Sequence, residues 1–131
     1  MLFRSVFDVL DLSRIEAFFR SDLGRRAVAA AERKTLMREK PFTLRTERDG
    51  RSMLVQGVID CCFEENGRMI LIDYKSSFIR PGKPHEAELE RIRDEYKVQI
   101  DLYREAVEKG TGMEVNEAYL YLLTVSESIS L

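Results

Sequence analysis

Apolar positions along this chain follow a helical period first, then an alternating one, then a helical one again, and each changeover marks an element. Ile15, Phe18 and Phe19 recur at helical spacing behind Ser13 and Glu16, a pair three apart that fits a capping box. Asp22 is placed to cap a second helix through Arg25 to Arg33, whose stripe of Leu23, Ala27, Ala30 and Ala31 is narrow. A pair of helices so patterned packs on a sheet and does not build a core alone. From Leu36 to Glu47 the pattern alternates, and Asp49-Gly50 and Asn66-Gly67 are two-residue hairpin signals. Three consecutive antiparallel strands are expected, with Pro41 marking the first as an edge strand or as bulged near its start. Ser76 to His85, with Pro81, Gly82 and Pro84, reads as a mobile surface loop. Glu86 to Lys109 is the longest helical pattern: Leu89, Ile92, Tyr96, Gln99, Tyr103 and Val107 step by three and four, and Gly110 is placed to end it. Tyr119 to Val125 is unbroken in apolar, β-prone residues and reads as a buried strand after a helix crossover. The order αβββαβ predicts a mixed α/β (α+β) sheet in a single domain.

The second hairpin has a computable register. With Asn66 and Gly67 as its loop, Glu65 faces Arg68, and counting back along both strands sets Asp60 opposite Asp73. Directly opposed like charges are destabilising unless something neutralises them, and a divalent cation does so. Lys75 shares the face of Asp73, whereas Tyr74 points the other way. Val58, Ile59, Ile70, Leu71 and Ile72 flank both aspartates with apolar residues, so these strands read as central and buried, where acids are rarely unpaired. Gln99 and Tyr103 lie at i and i+4 on the buried stripe of the long helix, and a glutamine there needs a polar partner.

Composition narrows the setting. At 131 residues the chain is long enough for a real core, since chains of this size bury somewhat under ~70% of their unfolded surface. The two cysteines, Cys61 and Cys62, are adjacent on a strand and face opposite ways, so they neither pair with each other nor make a metal-ligand set, and they read as core residues in a reducing compartment. No apolar run reaches the ~18 residues of a membrane span, and no leader pattern opens the chain, so the expected location is the cytoplasm. A net charge of −2 provides no global basic field, which leaves any nucleic-acid contact to local patches and a metal. Arg80, Lys83 and His85 form one such patch, either a solvated connector or a basic flap over a phosphate backbone; His85 is assigned no catalytic role.

Gly57-Val58-Ile59-Asp60, Ile72-Asp73-Tyr74-Lys75-Ser76 and Gln99-Ile100-Asp101-Leu102-Tyr103 resemble the G-x-x-D, D-Y-K-(T/S) and Q-x-x-x-Y motifs of RecB-type nuclease domains in the PD-(D/E)XK superfamily. Arg38-Glu39-Lys40-Pro41-Phe42, Tyr96 to Ile100 and Val115 to Tyr121 are similar, more narrowly, to the C-terminal nuclease domain of the AddA (RexA) subunit family of bacterial ATP-dependent helicase–nucleases. The resemblance runs from about Ser13 onward. It implies a restriction-endonuclease-like fold and a Mg²⁺-dependent DNA exonuclease, with Mn²⁺ as a substitute, acting in double-strand break repair and recombination beside an AddB-type partner. By that resemblance Asp60, Asp73 and the backbone carbonyl of Tyr74 are metal ligands, Lys75 orients or activates the attacking water, and Gln99 and Tyr103 support the site from the helix. Glu39 matches the family's first-strand acid in position and equally fits a solvated strand residue. The family's metal-binding histidine in an upstream G-T-x-x-H stretch has no counterpart here, nor does the chain carry a Walker A pattern or the four cysteines of the partner's iron–sulphur cluster. The expectation is therefore a piece of a much longer polypeptide with an incomplete metal shell. A catalytically silent domain that guides DNA or contacts another subunit is the alternative.

Overall fold

The computed structural model describes residues 12–131. They build α1 (Leu12–Arg20), α2 (Asp22–Glu32), β1 (Leu36–Arg48), β2 (Arg51–Glu65), β3 (Arg68–Lys75), α3 (His85–Thr111), β4 (Val115–Leu122) and β5 (Glu127–Ser130). The strands form one sheet in chain order, antiparallel throughout except for β3 and β4, which run parallel because α3 crosses between them. This is the mixed α/β, restriction-endonuclease-like architecture with one strand added. β5 escapes a sequence reading because it is four residues long and Ile129 is its one buried apolar position. No helix among the described residues is long and apolar enough to cross a membrane.

Helix ends differ from expectation for local reasons. Ser13 already lies inside α1, so it does not cap it. Ser21, not Asp22, caps α2: its hydroxyl accepts from the Gly24 amide at 3.1 Å and donates to the Phe18 carbonyl. Gly24 permits that crossing, since a Cβ there would stand 1.9 Å from the Phe18 carbonyl oxygen. α3 runs through Gly110 and stops at Gly112, which adopts the left-handed φ of 70° and bonds its amide to the Glu108 carbonyl. The strand expected at Tyr119 accordingly begins at Val115 and turns at Leu123 to Ser126.

The sheet divides two apolar layers. α1 and α2 pack Phe18, Leu23, Ala27 and Ala30 on Cys61, Phe63, Ile70, Ile72, Tyr74 and Tyr121. α3 packs Ile92, Ile100 and Val107 on Cys62, Leu71, Leu120 and Leu122. Cys61 and Cys62 thus fall in opposite layers, and burial pushes their thiols up to about 12 and about 11, which keeps them protonated and inert.

Both hairpins turn as expected, with φ of 53° and 73° at Asp49-Gly50 and of 52° and 79° at Asn66-Gly67. The first carries a break in its alternation. Ile59 and Cys62, three apart, both face α3, as do Met37 and Phe42, five apart, although a regular strand would put each pair on opposite faces. The break falls where Glu39, at φ 50°, stands across from Asp60 between the pairs Arg38–Cys61 and Lys40–Ile59. Beyond it, β1 and the start of β2 continue as a two-stranded arm against α3. The Thr46 hydroxyl donates to Glu105 at 3.0 Å, Arg48 lies 3.3 Å from Glu105, and Lys109 donates to the Arg45 carbonyl at 2.9 Å. Pro41 lies on this outer strand, as its missing N–H requires.

Candidate active site

β2 and β3 bring the two predicted acids together at the centre of the sheet. The ladder follows the computed register from Glu65–Arg68 to Cys61–Ile72 and stops one pair short of Asp60 and Asp73. In place of a further ladder bond, the Tyr74 amide donates to Asp60 Oδ2 at 3.0 Å. Asp60 and Asp73 are 8% and 3% exposed and close enough to share a proton. Burial first, then the Asp73 charge, pushes the Asp60 carboxyl up to about 7, against the opposing pull of the Tyr74 amide and of Lys75.

Lys75 follows on the same face. Its ammonium lies 2.9 Å from Asp73 Oδ2, donates to Gln99 Oε1 at 2.8 Å and sits 4.1 Å from the centre of the Tyr96 ring. Gln99 passes the chain on, its Nε2 donating to the Tyr103 hydroxyl at 3.1 Å. The half-buried glutamine thus has both polar ends satisfied, and it ties α3 to the end of β3. Tyr103 stands edge-on to Phe42 at 5.4 Å, and burial with the nearby aspartate charges raises its phenol. Gly57 serves this packing: a Cβ there would meet the Phe42 ring at 2.9 Å and the Tyr103 ring at 3.5 Å. Tyr74 turns its ring into the opposite layer, edge-on to Phe18 at 5.1 Å, and offers the site only its backbone.

Two carboxylate oxygens here are buried without a hydrogen-bond partner: Asp73 Oδ2 and Glu39 Oε1. Asp73 Oδ2 has its charge met by the Lys75 ammonium at 2.9 Å. Among the described residues no three His, Cys, Asp or Glu side chains form a ready cage. What the site offers is a pair of carboxylates, Asp60 and Asp73. Such a set fits Mg²⁺, which keeps several waters and takes only one or two protein carboxylates plus substrate phosphate.

The basic loop differs from its expected form. The Arg80 guanidinium grips Glu88 at 2.7 to 3.0 Å, and His85, which opens α3, pairs with Glu127 at 2.8 Å. Both cations are therefore spent on carboxylates, and of the three only Lys83 has none among the described residues. Sequence reasoning also missed Tyr96 and Glu88. Tyr96 sits on the same stripe as Gln99, which was its available signal; a buried glutamate in the first turns of the helix had none.

A cleft of about 640 Å³ between β1 and the end of α3, lined by Met37, Phe42, Leu44, Ile59 and Val107, is separate from this chemistry. A mixed sheet that presents paired aspartates and a lysine at the end of its central strands is a nuclease-type α/β fold. Residues 3–129 match the family model of the PD-(D/E)XK nuclease superfamily, and the chain belongs to that superfamily. It is 38% identical over 124 residues to a protein from Thermoanaerobacter sp. (strain X514) named as the A subunit of an ATP-dependent helicase/nuclease, a match covering 86% of this chain and 9% of that one. Proteins of the same name from Acetivibrio thermocellus and Anoxybacillus flavithermus are 40% identical over 125 residues and 42% over 113, again across 86% of this chain and 9% of theirs. The chain spans about a tenth of the length of these relatives.

Proposed function

We propose that this chain is a Mg²⁺-dependent nuclease domain that hydrolyses DNA phosphodiesters. It works within a larger ATP-dependent helicase–nuclease, beside an AddB-type partner, in double-strand break repair and recombination. The observation that carries the reading is the pair of buried carboxylates, Asp60 and Asp73, on adjacent strands with the Lys75 ammonium 2.9 Å from Asp73. Burying two carboxylates side by side with a single ammonium is costly unless a further cation neutralises them. Asp60, Asp73 and the Tyr74 carbonyl would hold the metal. When bound, the ion positions the water nucleophile and neutralises charge developing on the phosphate.

The protein's own groups do the rest. Lys75 orients the attacking water and faces the phosphate, while Gln99 fixes the ammonium by accepting one of its protons in a hydrogen bond. Tyr103 holds Gln99 in turn and leans on Phe42. Tyr96 lies under the ammonium and keeps its approach direction narrow. Titrating Mg²⁺ or Mn²⁺ while following aspartate and glutamate side-chain signals by NMR tests the reading. Saturable shifts at Asp60 and Asp73, together with metal-dependent DNA cleavage that Asp73→Ala abolishes, are expected. Unmoved aspartate signals at millimolar metal would leave a catalytically silent domain as the better description.

A further inference from the structure

Phe78 is 72% exposed, yet the backbone beneath it is held on every side. The Leu123 amide donates to the Lys75 carbonyl at 2.9 Å, the Thr124 hydroxyl donates to the Ser77 carbonyl, and the Ser77 and Tyr96 hydroxyls lie 3.4 Å apart. Arg91 donates to the Phe78 carbonyl at 3.3 Å. Two residues on, the Arg80 amide donates to Glu88 at 2.8 Å, and its guanidinium grips the same carboxylate at 2.7 to 3.0 Å. Glu88 is 1% exposed, is also contacted by Arg91 at 3.3 Å, and has no part in the chemistry at Asp60 and Asp73. A single exposed phenylalanine on a loose loop needs no explanation. A ring held out by a buried carboxylate and two arginines, three residues past Lys75, is different.

We infer that Phe78 is a stacking platform for an unpaired nucleobase of the strand entering the site, with the Glu88–Arg80–Arg91 cluster holding the loop that presents it. This rests on the nuclease reading above and deepens it by naming the substrate form, a single strand or a frayed end. Every base has a π-face, so aromatic stacking binds single strands without sequence preference. In an intact duplex those faces are covered by neighbouring base pairs. Both arginines are matched by carboxylates, Arg80 by Glu88 and Arg91 by Glu88 and by Glu95 at 3.5 Å, so the cluster contributes by holding the loop and the recognition rests on the ring.

The test is binding of the 131-residue chain to oligo(dT) carrying one 2-aminopurine, with Ca²⁺ replacing Mg²⁺ to hold back cleavage, beside a closed dumbbell duplex without ends. Phe78→Ala is expected to weaken oligonucleotide binding about 5- to 150-fold, the range that base–aromatic stacking supplies, and to abolish quenching of the 2-aminopurine. Phe78→Trp is expected to restore both, and neither variant to change dumbbell binding. Glu88→Gln is expected to weaken oligonucleotide binding alone, through the loosened loop. Unchanged binding and quenching in Phe78→Ala, or equal losses on dumbbell and single strand, would overturn the inference. Parent protein that cleaves DNA with metal but shows no Phe78-dependent quenching sinks the platform and spares the nuclease. Phe78-dependent quenching without any metal-dependent cleavage does the reverse.

Discussion

The Tyr74 amide donates to Asp60 Oδ2 over 3.0 Å, one position past the last cross-strand pair, Cys61 and Ile72. That bond fixes the Asp60 carboxylate against Asp73 on a buried face, so the metal-free fold carries a like-charge repulsion. Asp60→Asn keeps the acceptor for the Tyr74 amide, removes one charge and brings an N–H₂ to the Asp73 side. The variant is expected to be more stable than the parent in EDTA at pH 8, by about 1–3 kcal/mol. Excess Mn²⁺ is then expected to stabilise the parent more, since a ligand that binds only the folded state contributes about 2.7 kcal/mol at a hundred times Kd. Thermal unfolding of both proteins, with chelator and with metal, decides it; a destabilised variant and equal metal responses would mean that the two acids do not share a site.

The same pair predicts how the apo protein responds to pH. The folded Asp60 pKa, about 7, lies above its unfolded value of 3.8, so the folded state keeps a proton that the unfolded chain gives up. Its stabilising contribution is complete below pH 3.8 and is lost as pH rises through 7. Glu88 runs the other way: its pairing with Arg80 lowers it to about 2, so its contribution is present above 4.5 and fades as pH falls toward 2. His85, raised by Glu127, also loses its contribution as pH rises. Asp60→Asn separates the two: the decline between pH 4 and 7 is expected to flatten in the variant, leaving the smaller part due to the exposed histidine. A parent whose stability rises steadily across that range would contradict the shared-proton geometry.

Cleavage should divide the site by role. Lys75→Met removes the ammonium that lies against Asp73 and Gln99 and is expected to lower the DNA cleavage rate by about 10²–10⁴-fold, the range typical of a proton-transfer or water-orienting group. Gln99→Ala leaves the ammonium in place but unanchored, which is expected to cost about 10–100-fold. Single-turnover rates at saturating Mg²⁺ make the comparison. Equal losses in the two variants would move Gln99 into direct contact with substrate.

DNA affinity should depend only weakly on salt. Glu88 and Glu127 already neutralise Arg80 and His85, so the loop after Lys75 brings little more than Lys83 to a phosphate backbone. On duplex DNA the slope of log K against log salt is about 0.9 per neutralised phosphate, so a slope of roughly 2–3 is expected for the 131-residue chain. A slope equivalent to six or more phosphates would reveal a basic surface elsewhere, with the arginines of α2 first in line.

How much of this site was legible in the sequence follows from how local each determinant is. Asn66-Gly67 sets the β2–β3 register by itself, which is why Asp60, Asp73 and Lys75 could be aligned by counting. Gln99 and Tyr103 were readable because helical spacing puts them on one stripe. The break in alternation at Glu39 and Asp60 was not, because it arises where the hairpin arm bends onto α3, through contacts such as Thr46 to Glu105 and Phe42 to Tyr103 that lie 59 and 61 residues apart in sequence. Glu39 consequently stayed ambiguous between an active-site acid and a solvated strand residue. The Arg80–Glu88 pairing was hidden for the same reason: composition shows a basic loop, and only the fold shows that its main cation is already bound.

Gly57 provides a test of the packing beneath the site. In a strand, alanine is ordinarily favoured over glycine by about 0.5–1 kcal/mol, but here the added Cβ would lie 2.9 Å from the Phe42 ring and 3.5 Å from that of Tyr103. Phe42 cannot swing away freely, because its ring is seated edge-on against Tyr103. Gly57→Ala is therefore expected to destabilise the domain by about 1–3 kcal/mol, the usual cost of overpacking. It should also slow cleavage, since a displaced Tyr103 no longer holds Gln99 and, through it, Lys75. Phe42→Leu shortens the obstructing ring, so the double variant Gly57→Ala/Phe42→Leu is expected to be more stable than the sum of the two single changes implies, with a coupling of about 0.5–3 kcal/mol. Chemical denaturation of the four proteins in the cycle measures that coupling directly. Strict additivity would show that Gly57 is not kept small by Phe42.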